Sequence, residues 1–343
     1  ALDSGHNGEA QIANDLSAKD DGIYNNADLV KQTQVTILEQ NGDYLENEAS
    51  AKILENIEPF NDVFYKNCFY NSSFPVLKYY GKSVITFLIN DVLVYTFDAA
   101  SPSLKLSTQY VMCDTVENVL EREGVALKVI DVADDVVGEI IKSINNKLPV
   151  VIWVDCFFAS IRADAYKKNH WPHTWLVYGF NEAKKKFYII EHTHRDNLTY
   201  TRQEVSFNEL TDSYYGYVKN FRNKNDTSPT YYEFSMINGD ESCGQGSEDM
   251  MQDYRSKYVS NMLSKNDLLS EGLESIKIFK RKFLKVISDE ELLKKNAEHI
   301  LSGANDIINA KNVEKYKIRE LFKENESLMQ NIDGIIGEWT DIR

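Results

Sequence analysis

The stretch from residue 149 to residue 194 limits the possible folds more than any other part of the chain. It opens with Pro-Val-Val-Ile-Trp-Val-Asp at 149–155, an apolar run that is rich in β-branched residues and too short for an average helix. Such a run is typical of a strand that is covered on both faces. A histidine-led run at 173–180 and a run at 187–194 follow, with the polar turn 181–186 between them. The pattern predicts a buried central strand and then a β-hairpin.

Composition sets the broad class of the chain. Its 343 residues are 43% hydrophobic and 12% aromatic, which is enough to fill a core and excludes wholesale disorder. One main domain with an attached piece fits this length. The formal net charge of −15 disfavours nucleic acid as a partner. A cationic or amine-bearing small molecule, or a locally basic docking face, fits the charge better.

Cysteine usage and hydropathy bear on the compartment. The cysteines are scattered and form no CxxC motif, a pattern typical of a reducing compartment; they are Cys68, Cys113, Cys156 and Cys243. The sequence contains no visible signal peptide and no apolar run of membrane-spanning length. We therefore expect a cytoplasmic protein that does not act at a membrane.

Changes in composition divide the chain into three parts. Residues 1–50 form a polar extension, residues 51–238 the main domain and residues 248–343 a helical region, with the stretch 239–247, rich in glycine and acidic residues, as the boundary. After this boundary, apolar residues recur at helical spacing and predict a C-terminal bundle. Within the main domain the patterns predict strands within 84–112, helices at 114–124 and 133–147, a short helix within 205–215 and a strand at 230–236. The predicted fold class is α+β with an appended helical bundle.

Cys68 stands at a predicted helix N-terminus. Asn67 is a favourable N-cap, and the apolar positions after it continue to Gly81, a typical helix stop. Pro75 lies inside this segment and predicts a kink or a break. A helix N-terminus and a neighbouring imidazolium lower a cysteine pKa from about 8.5 to roughly 3.5–7.5, which produces a nucleophilic thiolate. Without such a partner, a cysteine at this position is more often a small core residue.

His173 and Glu191 are the best-placed partners for this thiol. The histidine starts the first hairpin strand and the glutamate ends the second, so both can lie at one end of the hairpin. Two registers are open: one pairs His173 with Glu191 and Val177 with Phe187, and the other pairs His173 with His194 and turns the glutamate away. The first register predicts a Cys–His–acid site for acyl transfer, in which the acid holds the histidine ring. Taken singly, such a histidine is more often a hydrogen-bonded structural residue, and such a glutamate a solvated strand end.

Three segments carry a resemblance to a known family. They are Asn-Cys at 67–68 with the helix that follows to Tyr-Tyr-Gly at 79–81, Leu-Pro-Val-Val-Ile-Trp-Val-Asp-Cys-Phe-Phe at 148–158, and His-Thr-Trp-Leu-Val-Tyr-Gly-Phe at 173–180. On this basis residues 60–217 resemble the N-terminal domain of the butirosin biosynthesis protein H family, and the region after residue 240 is more loosely similar to its helical C-terminal part. The resemblance implies a papain-like cysteine-peptidase fold. It also implies that Cys68 is the nucleophile, His173 the base and Glu191 the orienting acid.

The same resemblance implies a reaction and its partners. The family includes amide-forming acyltransferases of thiotemplated antibiotic pathways, of the butirosin and closthioamide type. By this resemblance, the acyl donor is a phosphopantetheine thioester on an acyl or peptidyl carrier protein, and the acceptor is an amine-bearing small molecule. No cofactor is expected to be bound permanently. Cys68 is expected to carry the acyl group as an enzyme thioester between the two steps.

Two positions depart from the wider papain-like pattern. The glutamine that often stands six residues before the nucleophile, as oxyanion donor, is replaced by Asp62. The acid is a glutamate where asparagine or aspartate is common, and its longer side chain alters the geometry. The candidate oxyanion donors are therefore Asn61, Asn67 and the backbone N–H of Cys68.

Asp155 and Trp175 are the candidates for contact with a substrate. Asp155 ends the central strand, where it could hold a substrate amine or, about as plausibly, cap the loop that follows. Trp175 could line a dry acyl pocket, and a core position is its structural explanation.

Three alternatives remain open at the level of the sequence. The same triad could hydrolyse an amide or thioester, as in a cysteine peptidase or amidase. The chain could also be a binding or scaffold protein on an inactive peptidase fold. Zinc is the rival for the histidines, with a possible ligand set of His170, His173, His192, His194 and either Asp155 or Cys156. Because no HExxH and no paired CxxC motif is present, we expect no bound metal.

Overall fold

An antiparallel sheet lies at the centre of the part of the chain that the structure describes. The structure is a computed structural model, and it describes residues 51–194, 199–222, 228–237 and 248–343. Within these ranges the strands are β1 (Ala51–Ile53), β2 (Asp91–Thr96), β3 (Ser107–Met112), β4 (Val125–Ile130), β5 (Val150–Asp155), β6 (Pro172–Asn181), β7 (Lys186–Glu191), β8 (Thr201–Ser206) and β9 (Tyr231–Met236). The large sheet has the order β4-β9-β5-β6-β7-β8, with β1 also paired to β6, and β2 and β3 form a separate small sheet.

The predicted central strand is confirmed as β5. It lies between β6 and β9 and is antiparallel to both. Every residue of β5 is buried except Trp153, which is half-buried. This burial explains why the segment reads as a continuous apolar run and not as an alternating one.

The hairpin of β6 and β7 is confirmed, but neither of the two registers that the sequence suggested holds along its whole length. Next to the turn the strands follow the register that would pair His173 with His194, since Phe180 pairs with Phe187, whereas nearer the site they follow neither. Leu176 pairs with Ile190 and Val177 with Ile189, and the register then shifts so that Gly179 pairs with Tyr188. The irregularity lies at Tyr178, beside the position where β1 joins β6. A side chain on Gly179 would place its Cβ 2.8 Å from the backbone oxygen of Lys52, so glycine permits this close approach of β1.

Nine helices lie within the described residues, apart from one 3₁₀ turn at Cys156–Phe158. They are α1 (Cys68–Tyr79), α2 (Ile85–Asn90), α3 (Val116–Arg122), α4 (Val136–Asn145), α5 (Phe207–Phe221), α6 (Glu248–Ser264), α7 (Asn266–Ile287), α8 (Glu290–Leu321) and α9 (Glu326–Ile342). The helices predicted at 114–124 and 133–147 are confirmed as α3 and α4. The short helix predicted within 205–215 is longer than expected, because α5 continues to Phe221.

One predicted strand is wrong. Residues 85–90 form α2, not a strand, and all six of its residues are buried. The hydroxyl of Ser83 accepts a hydrogen bond from the backbone N–H of Ile85 and so supports the start of this helix. A short, fully buried apolar run has no polar face, and its period therefore cannot separate a helix from a strand. The strand predicted directly after it is confirmed as β2.

The C-terminal helices pack on the small sheet. Helix α7 contacts β2, and α8 contacts β3. A second hydrophobic cluster fills this contact, and its buried members are Leu104, Leu106, Phe279, Ile300 and Ile307. The predicted mixed α and β class and the helical C-terminal region are thus confirmed. The extension 1–50 and the boundary 239–247 lie outside the described residues, and the division at these points stays a prediction.

Among the helices that the structure describes, none combines the length and the apolar character that a membrane crossing requires.

Candidate active site

Cys68 is the first residue of α1, as the sequence predicted. Asn67 is the N-cap: its backbone is extended, and its side-chain oxygen accepts a hydrogen bond of 3.0 Å from the N–H of Phe69. The helix runs through Pro75 without a break and ends before Gly81, which has a positive φ of 69°. The sulfur of Cys68 therefore lies at the positive end of a helix dipole.

A side-chain contact fixes α1 against β6 beside the nucleophile. Ser72 lies one helical turn after Cys68, and Thr174 directly follows His173 in β6. The hydroxyls of Ser72 and Thr174 are 2.9 Å apart and both residues are fully buried. This hydrogen bond holds the start of the helix at the point of the sheet where His173 lies.

His173 and Glu191 meet at the end of the hairpin. The Nε2 atom of His173 lies 3.0 Å from Oε1 of Glu191, which is an ion-pair contact whose direction falls short of an aligned hydrogen bond. Because Leu176 pairs with Ile190, the register places Glu191 beside Trp175 and diagonal to His173. Diagonal neighbours in a sheet are about 7–8 Å apart, a distance that the longer arm of a glutamate can span. The register thus accounts for a glutamate at this position.

The three side chains shift one another's pKa values through their charges and hydrogen bonds. Burial alone would raise the pKa of the Cys68 thiol, but the charge of His173 and hydrogen bonds from His173 and Thr174 lower it below its ordinary value. Burial alone would lower the pKa of His173, but Glu191 and Cys68 raise it to about 10. The lowered pKa of the thiol and the raised pKa of the imidazole both favour the thiolate–imidazolium pair. This is the form in which a cysteine attacks a carbonyl carbon.

The site is enclosed by protein. Cys68 is 8% exposed, His173 5% and Glu191 0%. The ring of His192 stands at 86° to that of His173, with 4.7 Å between their centroids, and Tyr200 contacts His192 in the same edge-on manner at 5.1 Å. Burial lowers the pKa of His192 to about 4, so its ring is neutral at physiological pH.

Glu191 has further partners besides His173. The backbone N–H of His192 donates to its Oε1 at 2.6 Å, and Nη1 of Arg162 lies 3.8 Å from the same oxygen. Its second oxygen, Oε2, is buried and has no hydrogen-bond partner among the described residues. Sequence reasoning missed Arg162 and considered His192 only as a possible zinc ligand. Only the position of His192 directly after the strand-end acid could have drawn attention to it.

The predicted oxyanion donors have different surroundings. The side-chain amide of Asn61 is engaged by the backbone of Tyr200, donating to its oxygen at 3.0 Å and accepting from its N–H at 2.7 Å. Asp62, which replaces the usual glutamine, lies 3.5 Å from the amine of Lys78. Asn67 is engaged as the helix cap. The backbone N–H of Cys68 is one of the first-turn N–H groups that have no acceptor within the helix, and it is the best-placed donor of the predicted set.

Asp155 and Trp175 are not free to meet a substrate in this structure. Asp155 is fully buried, and its oxygens accept from Nδ2 of Asn220 at 2.9 Å and from two backbone N–H groups, while Nδ1 of His170 lies 2.6 Å away. This arrangement matches the capping explanation of Asp155. Trp175 is fully buried in the core, and its Nε1 has no partner among the described residues.

The histidines considered as zinc ligands fall into two places. His170 lies with Asp155, whereas His173, Glu191 and His192 form one group whose ligand atoms are within 4.8 Å of one another. Three such atoms could in principle surround a cation. The guanidinium of Arg162 lies 3.8 Å from the shared Glu191 oxygen, however, and its positive charge opposes a metal ion there.

Comparisons with known proteins assign neither a family nor a function to this chain. No protein-family model matches the sequence, and no curated protein is detectably similar to it. The arguments about function therefore depend on the residues of the site itself.

Proposed function

We propose that this chain is a cysteine-dependent acyltransferase with a papain-like fold, which forms an amide in the biosynthesis of a secondary metabolite. The observation that carries the proposal is the meeting of Cys68, His173 and Glu191 at one buried point. A helix that begins at the cysteine packs on an antiparallel sheet whose adjacent strands supply the histidine and the acid. The chain order Cys–His–acid agrees with the papain-like pattern that the sequence resembles.

The first step transfers the acyl group to the enzyme. The Cys68 thiolate attacks the carbonyl carbon of a phosphopantetheine thioester on a carrier protein, and the N-terminus of α1 stabilises the oxyanion. The carbon–sulfur bond to phosphopantetheine breaks, and the departing thiolate takes a proton from the His173 imidazolium. The product is an acyl-Cys68 thioester beside a neutral imidazole.

The second step forms the amide. His173, now neutral, accepts a proton from an incoming amine while the amine nitrogen attacks the acyl carbon of the enzyme thioester. The bond between the acyl carbon and Cys68 breaks, and the thiolate–imidazolium pair returns. Glu191 holds the histidine ring in position during both proton transfers.

Enclosure of the site favours transfer over hydrolysis. Water competes with the amine for the acyl-enzyme, and an active site that excludes water limits this side reaction. Cys68 and His173 are both nearly fully buried, and the rings of His192 and Tyr200 pack beside His173. The acceptor in this proposal is an amine-bearing small molecule, in keeping with the net charge of −15. The site needs no permanently bound cofactor for this chemistry, and the proposed location is the cytoplasm.

An acylation experiment tests the proposal. The full chain is incubated with short-chain acyl thioesters of phosphopantetheine, and its intact mass is measured. We expect one acyl adduct on the wild-type chain, none on Cys68→Ala, and an adduct as in wild type on the matched control Cys113→Ala, a free cysteine outside the site. Amines are then added and the products are separated. Amide without comparable free acid supports transfer, whereas free acid alone supports the peptidase or amidase alternative. A wild-type chain without an adduct contradicts both.

A further inference from the structure

The carboxylate of Glu191 raises a problem of charge balance. It is 0% exposed, and burying a charged group is costly unless opposite charge or hydrogen bonds compensate it. His173 compensates it only while the ring is protonated. In the proposed reaction His173 gives this proton away, so Glu191 has a neutral partner during the lifetime of the acyl-enzyme.

Arg162 supplies a positive charge that does not change during the reaction. Its side chain is 1% exposed, and its Nη1 lies 3.8 Å from Oε1 of Glu191. A guanidinium remains protonated throughout the physiological pH range. The positive charge beside Glu191 is therefore present whether His173 is protonated or neutral.

The position of Arg162 is fixed by two other residues. Its Nε and Nη2 atoms donate to the two carboxylate oxygens of Asp164, each at 3.0 Å, which is the bidentate geometry typical of strong pairs. Its Nη1 donates to the sulfur of Cys156 at 3.3 Å. Burial opposes the charge of Arg162, but Asp164, Cys156 and Glu191 outweigh this effect and raise its pKa above the ordinary value. The guanidinium is thus held with Nη1 towards Glu191.

The other titratable groups near Glu191 cannot replace Arg162. Among the described residues, the titratable groups besides Arg162 that interact electrostatically with Glu191 are Cys68, Cys156, His173, His192 and Tyr200. Burial raises the pKa values of Cys156 and Tyr200 and lowers that of His192, so these three are neutral. The thiolate of Cys68 adds negative charge. None of the five carries a permanent positive charge.

We propose that Arg162 is a positioning residue of the site, which holds the Glu191 carboxylate in place and compensates its charge in the part of the reaction in which His173 is neutral. The inference depends on the proposed Cys–His–acid function and extends it to a fourth residue. Without Arg162, the buried Glu191 carboxylate would have no compensating positive charge when His173 is neutral and would lose its fixed position. A displaced carboxylate would stabilise the imidazolium less, and the thiolate of Cys68 would form only at higher pH.

The test measures the alkylation rate of Cys68 by iodoacetamide as a function of pH in the full chain. For Arg162→Gln we expect the midpoint of the profile to rise by about one pH unit or more, and alkylation below both midpoints to slow about tenfold. Arg162→Lys keeps the charge and should lie closer to wild type. The matched control is Arg222→Gln, which removes another arginine whose side chain is 9% exposed and which pairs with Asp131 elsewhere in the fold. It should leave the midpoint unchanged.

Each outcome decides the matter. A wild-type midpoint no lower than that of an ordinary thiol contradicts the proposed function itself. A lowered wild-type midpoint that Arg162→Gln retains overturns only the role of Arg162. If Arg162→Gln does not fold, the double variant Arg162→Gln/Asp164→Asn removes both members of the bidentate pair and replaces it in the test. A double variant whose midpoint stays at the wild-type value overturns the role of Arg162, and a raised midpoint supports it.

Discussion

Two buried cysteines near the same glutamate have opposite properties. The pKa of Cys68 is lowered because His173 and Thr174 contact its sulfur at a helix N-terminus. The pKa of Cys156 is raised well above its ordinary value because burial and the negative charge of Glu191 both oppose a thiolate there. Residue type therefore does not decide reactivity in this site, and the contacts of each sulfur do.

This contrast predicts selective alkylation. With limiting iodoacetamide near neutral pH, Cys68 should react and Cys156 should remain unmodified, because only the thiolate is a good nucleophile. Since the Cys68 pKa is lowered, its reactivity should appear as the pH rises through a value below that of a free thiol. Peptide mapping by mass spectrometry identifies the modified cysteine. Equal labelling of the two residues in the folded chain would contradict the prediction.

The length of the acid side chain gives a second prediction. Glu191→Asp shortens the arm by about 1.5 Å, and the diagonal position of the residue then leaves the carboxylate out of contact with Nε2 of His173. In Glu191→Asp we expect acylation of Cys68 by the thioester probe to slow at least about tenfold. In Glu191→Gln it should slow by up to about 10⁴-fold, because an amide leaves the histidine ring without its charged partner. Rapid-quench mass spectrometry measures the rate. A Glu191→Asp variant as fast as wild type would show that the contact is not required.

The residues of the site were predictable from the sequence to different degrees. Cys68, His173 and Glu191 stand where elements begin or end, and such positions are marked by caps and by changes of period. Arg162 lies in the polar loop after β5, where nothing in the sequence distinguishes a buried arginine from a solvated one. Its burial is produced by the fold around it and became visible only in the structure.

For single elements, the features that depend on residues close in sequence were predicted correctly, and the features that depend on tertiary packing were not. The start and end of α1 follow from Asn67 and Gly81, which act through contacts within a few residues. The nature of residues 85–90 and the register shift at Tyr178 depend on what packs around them. Each of the two expected hairpin registers assumed regular pairing and left no place for a bulge, so the second holds only next to the turn and the first does not hold.

The cap of α1 can be tested against a second cap of the same kind. Asn67→Ala should lower the free energy of unfolding by about 1 kcal/mol and also slow alkylation of Cys68, because the first turn then loses its fixed position. Asn325 caps α9 through a similar bond of 3.1 Å to the N–H of Leu328. Asn325→Ala should cost a similar free energy and leave Cys68 unaffected. Denaturant titration and labelling rates measure the two effects; slower labelling in both variants would remove the special role of Asn67.

In the whole molecule, the C-terminal helices connect to the segment that carries the nucleophile. Lys66, two residues before Cys68, pairs with the buried Asp91 at the start of β2. Lys317 of α8 donates to the backbone oxygen of Asp91 at 3.2 Å and pairs with Glu314 at 2.6 Å. The helical spacing of apolar residues predicted the C-terminal helices, but it gave no indication of the surface that they cover. That surface is selected by close backbone contacts and by this buried charge group.

Two glycines allow the helices to approach the small sheet. A Cβ at Gly303 in α8 would lie 2.7 Å from the backbone oxygen of Leu106, and a Cβ at Gly272 in α7 would lie 3.0 Å from the backbone nitrogen of Tyr95. Backbone atoms cannot turn aside as a flexible side chain can. Each contact therefore requires glycine if the helix is to keep its distance from β2 and β3.

This requirement gives the last prediction. Gly303→Ala should lower the free energy of unfolding by about 1–3 kcal/mol, because the added methyl group forces α8 away from the small sheet. The matched control is Gly334→Ala in the exposed part of α9, where a Cβ would meet nothing within 4 Å. This control should stabilise the chain by about 0.5–1 kcal/mol, because alanine is the better helix former. Denaturant titration measures both changes, and opposite signs are expected for the same substitution in two helices. If both variants were stabilised, α8 would not pack on the small sheet as closely as described.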